Sequence, residues 1–233
     1  MNNLKNGLLM SLILSVALMF GTVFLGAATP PADVLNAAQN GLKIFTALNG
    51  DSMDDCVFNV SSREELDHAV VGFGFRMYSV NPKFLRDPGN RLLSRMVEPT
   101  PTWRFVVLSK TKPIGLITVN LVNGQWQAVG AGAAELAAEV NMVRKAWPAR
   151  DGFDFRFVRV YQATADFIEV SHKQNMMGYV PMKAARVSLN MGQMDLQADQ
   201  LMAESELMEP LRDRAMRNMK DFLKKDVNHE EEE

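Results

Sequence analysis

The Asn123-Gly124 pair, set between two alternating runs, constrains this chain more than any other stretch. A two-residue type I′ turn needs positive φ at both central positions, which Asn and Gly tolerate. Such a turn predicts Val122 opposite Gln125, Leu121 opposite Trp126 and Val119 opposite Ala128. Side chains directly opposed across a strand pair share one face of the sheet. Ile117, Val119 and Leu121 therefore fall on a face with Trp126 and Ala128, while Thr118, Asn120, Gln125 and Gln127 point the other way. Turn chemistry and alternation agree on one register, and a slip of one residue would turn every apolar side chain to the wrong face.

Upstream, Trp103 to Ser109 is β-rich and is followed by a polar turn, Lys110-Thr111-Lys112-Pro113. Downstream of Gly132 the apolar period lengthens: Leu136, Val140, Val143 and Trp147 recur at helical spacing. Glu135 and Glu139 sit toward the start and Arg144 and Lys145 toward the end, as the helix dipole favours, and Pro148 ends the segment. The stretch reads as three strands with a helix laid back on them.

The flanks extend this unit. Ala32 to Leu48 carries one apolar stripe, Val34, Leu35, Ala38, Leu42, Phe45 and Leu48, and stops at Asn49-Gly50. Ser61 or Ser62, three before Glu64 or Glu65, predicts a capping box for a short helix through Val71. A strand is expected over Phe73 to Val80. The proline-rich segment from Asn81 to Pro101 reads as loop, with at most a short helix at Arg91 to Val97. Phe153 to Tyr161 is a strand with Phe153, Phe155 and Phe157 on one face. Ala165 to His172 and Tyr179 to Met182 follow as strands, with a turn at Asn175 to Gly178. From Asp195 to Val227 the pattern is helical: Met194, Leu201, Met208, Ala215 and Phe222 recur every seven residues, joined by Leu211 and Met219. Pro210 should kink or split that helix. The expected fold is α+β, an antiparallel meander sheet covered by helices, spanning residues 29–194. A C-terminal amphipathic helical extension with an acidic tail, residues 195–233, completes it.

The first 28 residues resemble an export signal. Lys5 is their single charge, Gly7 to Leu25 is uncharged, and Gly26-Ala27-Ala28 offers small residues for cleavage. An uncleaved N-terminal anchor is the alternative, since about 20 apolar residues span a bilayer. Either way the expected location is extracytoplasmic, periplasmic or secreted, with membrane contact only through this segment. Cys56 is the only cysteine, so no intrachain disulfide can form and the core must supply stability. The net charge of −2 and the lack of a basic stripe interleaved with aromatics argue against a nucleic-acid partner.

Candidates for chemistry are few. Cys56 could pair with His68 or His172, but Asp54 and Asp55 beside it would raise the thiol pKa, the wrong direction for a nucleophile. Gly130-Ala131-Gly132 lacks the third glycine of a dinucleotide fingerprint, and Glu135 stands where phosphate would approach. Its small residues instead suit close helix–sheet approach. A thioether set, His172 with Met176, Met177, Met191 and Met194, is a soft-ligand pattern that suits Cu(I) outside the cytoplasm. Arg156 and Arg159 suit either a bound anion or a solvated face, and no carboxylate pair stands out. The leading expectation is an exported, non-catalytic binding or accessory module with a protein partner at the cell envelope. It would make contact through Leu201, Met208, Leu211, Met219 and Phe222. Copper handling is the second reading and a cysteine- or carboxylate-dependent envelope hydrolase the third.

Overall fold

The central strand, β1 (Ala69–Val80), has neighbours of both senses. On one side β2 (Val97–Ser109), β3 (Lys112–Val122) and β4 (Gln125–Gly132) follow in chain order, each antiparallel to the one before. On the other side lie β5 (Phe153–Val160), β6 (Ala165–His172) and β7 (Asn175–Pro181), with β6 antiparallel to both its neighbours. β5 itself runs parallel to β1, pairing Met77 with Phe157 and Ser79 with Arg159. The structure is a computed structural model describing residues 29–48, 56–87, 89, 92–192 and 198–230, with side chains to residue 222. The fold is α+β, a seven-stranded, mostly antiparallel sheet with helices. The sheet is mixed where a purely antiparallel one was expected. The chain leaves the β4 edge through α4 (Ala134–Ala146) and returns to the middle, so β5 lands beside β1 in the same direction.

The hairpin has the register its turn dictates: Val122 pairs with Gln125, Leu121 with Trp126 and Val119 with Ala128. Asn123 and Gly124 have φ of 50° and 79°. The helix over the Ile117, Val119, Trp126 and Ala128 face is α1 (Ala32–Leu48), not α4. Close approach is made by Gly41 of α1, where a Cβ would come within 2.2 Å of the Ala128 Cβ, and Gly130 has nothing near it. On the opposite face α4 packs Ala137, Val140 and Val143 on Phe75, Met77, Val106, Leu116, Phe157, Ile168 and Val170.

α6 (Glu204–Glu230) shares the α1 face, covering the β5–β7 half through Leu207, Met208, Leu211 and Ala215. It begins at Glu204 because the residues before it are held otherwise. Met202 exchanges backbone hydrogen bonds with Tyr179 at 2.8 and 2.9 Å, and the Ala203 N–H donates to Glu206 Oε2. Pro210 does not divide the helix.

Three further boundaries differ from the sequence reading. The helix capped by Ser62 is only α2 (Arg63–Asp67), since Ala69 to Val71 pair with Val107 to Ser109 as the start of β1. The proline-rich segment holds α3 (Pro82–Arg86), a single 3₁₀ turn at Leu93–Arg95 and the first residues of β2. The β6–β7 turn is Lys173-Gln174, with φ of 48° and 69° and no glycine to announce it. Residues 1–28, Asn49-Gly50, Asp54-Asp55 and Met194 lie outside the described residues. Among the described residues no helix is long and apolar enough to cross a membrane.

Candidate functional site

Strand alternation builds a charged floor at one end of the α4 face. Val106, Leu116, Phe157 and Ile168 pack under α4. Two residues away on the same four strands, hence on the same face, stand Arg104, Thr118, Arg159 and Asp166. Register sets Arg159 opposite Asp166 and Arg104 opposite Thr118. Asp166 is only 4% exposed. Its Oδ1 lies 3.7 Å from Arg159 Nε, close enough for an ion pair and too far for a hydrogen bond. Both atoms, and Arg104 Nε, are buried without a hydrogen-bond partner among the described residues.

The electrostatics follow from burial and charge count. Burial pushes the Asp166 carboxyl above the ordinary carboxylate range; Arg159 and Arg104 pull it back, and Glu139 raises it. Burial, then the like charge of Arg159, draws the Arg104 guanidinium below its usual range. One buried acid thus answers two arginines.

Of the four residues of this floor, Asp166 lines a cleft of about 810 Å³. Its walls are the first two turns of α4 and the length of α5 (Lys183–Ser188), so its two sides come from elements that leave opposite edges of the sheet, β4 and β7. Lys183 Nζ meets Glu135 Oε2 at 2.7 Å and Arg186 Nη2 meets Glu139 Oε1 at 2.8 Å. The Lys183 N–H donates to the same Glu139 oxygen at 2.9 Å. The Lys183–Glu135 pair is exposed and contributes little; the better buried Arg186–Glu139 pair holds the two sides together. Ala133, Ala134, Leu136, Ala184 and Val187 give the cleft its apolar surface. Thr164, Asp166, Ser188 and Arg214 make one end polar. Arg214 Nε donates to Ser188 Oγ at 3.2 Å, and no carboxylate pairs with it among the described residues. No side chain caps the first turn of α4.

A second buried network lies on the other face and has a structural role. Arg156 forks onto Glu169 with three contacts of 2.6 to 2.9 Å. The Tyr179 hydroxyl lies 3.0 Å from Glu169 Oε2 and 3.2 Å from Glu204 Oε1, and the Ser94 N–H donates to Glu204. This chain of contacts fastens the start of α6 to the sheet.

The residues expected from the sequence are scattered. Met208 and Leu211 are buried against the sheet, Met219 is partly buried beside them, and Phe222 is 65% exposed. Leu201 packs instead with the α4-face cluster, so the seven-residue stripe does not form one surface. Met176 and Met177 are exposed at the start of β7, next to the hairpin turn, and His172 stacks against Phe153 at 4.9 Å. Met191 follows α5, beyond the far end of β7, and packs beside α6. Among the described residues no group of three or more His, Cys, Asp or Glu could hold a metal. Cys56 packs half-buried beside the α1 cluster, while His68 Nδ1 contacts the Glu64 carbonyl at 2.7 Å. Of the charged floor the sequence reading singled out Arg159 alone. Asp166 and Arg104 stand at sheet positions flanked by apolar residues, a signal visible in the sequence but not its meaning. No protein-family model, curated protein or solved structure matches this chain.

Proposed function

We propose that this protein is an exported, non-catalytic binding module of the cell envelope that holds its ligand in the cleft between α4 and α5. The observation that supports this most is the cleft itself, largely apolar and reaching the buried Asp166, whose Oδ1 has no hydrogen-bond partner among the described residues. Pockets of this size and kind are the usual form of ligand sites. The side chains first expected to meet a protein partner mostly serve the core, which favours the cleft over the α6 stripe as the place of contact. The leader-like first 28 residues support an envelope location.

The test is a cleft-filling variant. Ala184 lines the cleft and is not in the core, so Ala184→Trp should fold normally and fill the space. Organic extracts of cell envelopes should raise the melting temperature of the wild-type protein and leave Ala184→Trp unmoved. An equal response from both proteins, or none from either, would refute the reading.

A further inference from the structure

We infer that the cleft takes an amphiphile with an acidic head, a carboxylate or a phosphate, drawn to the Asp166 end by Arg214 on the cleft wall and by the charges of Arg159 and Arg104 around Asp166, with its apolar tail along α4 and α5. This rests on the cleft being the ligand site and adds the chemistry of the ligand.

The first argument is a count of charges. Arg214 and Asp166 line this end of the cleft; Arg159 lies 3.7 Å from Asp166, and Arg104 feels the charge of both. Glu135 and Glu139 are already paired with Lys183 and Arg186. Arg104 Nε is buried without a hydrogen-bonding acceptor among the described residues, and Arg214 Nε donates to the Ser188 hydroxyl. Guanidinium groups removed from water are costly unless acceptors meet them, and carboxylate and phosphate are the acceptors that match their fork.

The second argument is the helix. α4 runs for 13 residues and presents an uncapped first turn to the cleft. Its free N–H groups and dipole favour negative charge there, and Glu135 in the same turn is offset by Lys183. The third is Asp166, which would repel an anion as a carboxylate. Burial shifts its carboxyl toward the neutral form against the pull of Arg159 and Arg104, which weakens that repulsion. The fourth is the wall. Leu136, Ala184 and Val187 offer apolar surface, and Glu135, Glu139 and Lys183 on the same walls are already paired, which suits a tail better than a sugar or a peptide backbone.

Calorimetry on the full mature protein with dodecanoate, dodecyl phosphate, dodecanol, dodecyltrimethylammonium and inorganic phosphate tests this. At least one of the two acidic amphiphiles should bind roughly tenfold or more tightly than dodecanol, the scale of one charge-assisted hydrogen bond. Arg214→Gln and Arg159→Gln should each erase most of that difference while leaving dodecanol binding unchanged. Arg214→Gln alters a partly exposed rim residue and keeps the test open should Arg159→Gln fail to fold. The stronger of the two acidic probes names the head. Dodecanol matching both, or the ammonium probe binding best, overturns the inference and leaves the cleft reading standing. Tight binding of inorganic phosphate, lost in Arg159→Gln, with no amphiphile bound, overturns the amphiphile and the cleft reading together, leaving only an anion site.

Discussion

Tyr179 has one hydroxyl proton and two buried carboxylates, Glu169 and Glu204, within reach of it. Burial, and then the charges of those two carboxylates, push its phenol far above the ordinary tyrosine range. A group whose pKa is raised by folding adds stability that is whole below its unfolded value, near 10, and is lost as pH climbs beyond it. Tyr179→Phe removes the donor and leaves the carboxylates facing each other, so it should cost about 1–3 kcal/mol in urea unfolding at neutral pH. Comparing the two proteins by tyrosinate absorbance should show Tyr179 ionising only as the fold is lost in alkali; reversible ionisation in the folded protein would contradict this account. Neither this network nor the charged floor was legible in the sequence, and the reason is the same. Alternation assigns Asp166 to the face of Ile168 and Glu169 to the face of Phe167. It does not say which helix covers either face, nor how far along the strand that cover extends.

At the scale of elements, α6 shows how far a periodic pattern can be trusted. The seven-residue spacing of Met208 and Ala215 marks a real apolar face, and both side chains are buried. What it meets is the chain's own sheet, where Leu211 is fully buried with Val158, Phe167 and Tyr179. Leu211→Ala should therefore cost about 2–5 kcal/mol in global stability by chemical denaturation. Truncation after Ala203 should abolish cooperative unfolding, because it exposes the cluster under α6 and removes Glu204 from Tyr179. A truncated protein that kept a sharp transition would make α6 an appendage after all. The β3–β4 hairpin is the opposite case. Its register needed no distant contact, because an Asn-Gly corner and period-2 alternation are both local. The β6–β7 turn was misplaced because Lys173-Gln174 adopts positive φ without the residue types that usually signal it.

For the molecule as a whole, the first described residues lie close to β1: a Cβ on Gly74 would meet Pro30 Cγ at 2.8 Å. If residues 1–28 are a cleaved leader, intact mass of the protein recovered from the envelope should correspond to a chain beginning at Thr29; the full-length mass would make the segment an anchor. The sequence by itself determined the α+β class, the hairpin register, the strand carrying Phe153, Phe155 and Phe157, and the dependence on a core without disulfides. Each rests on neighbours within a turn or two of chain, where spacing and residue type act directly. Only the tertiary structure decided that β5 joins β1 in parallel and that α1 rather than α4 covers the hairpin's apolar face. It also brought α4 and α5, which follow the strands at opposite edges of the sheet, to the two sides of one cleft. Those outcomes depend on the path of α4 across the sheet, and no local period records where a helix lands or which charges it leaves uncovered.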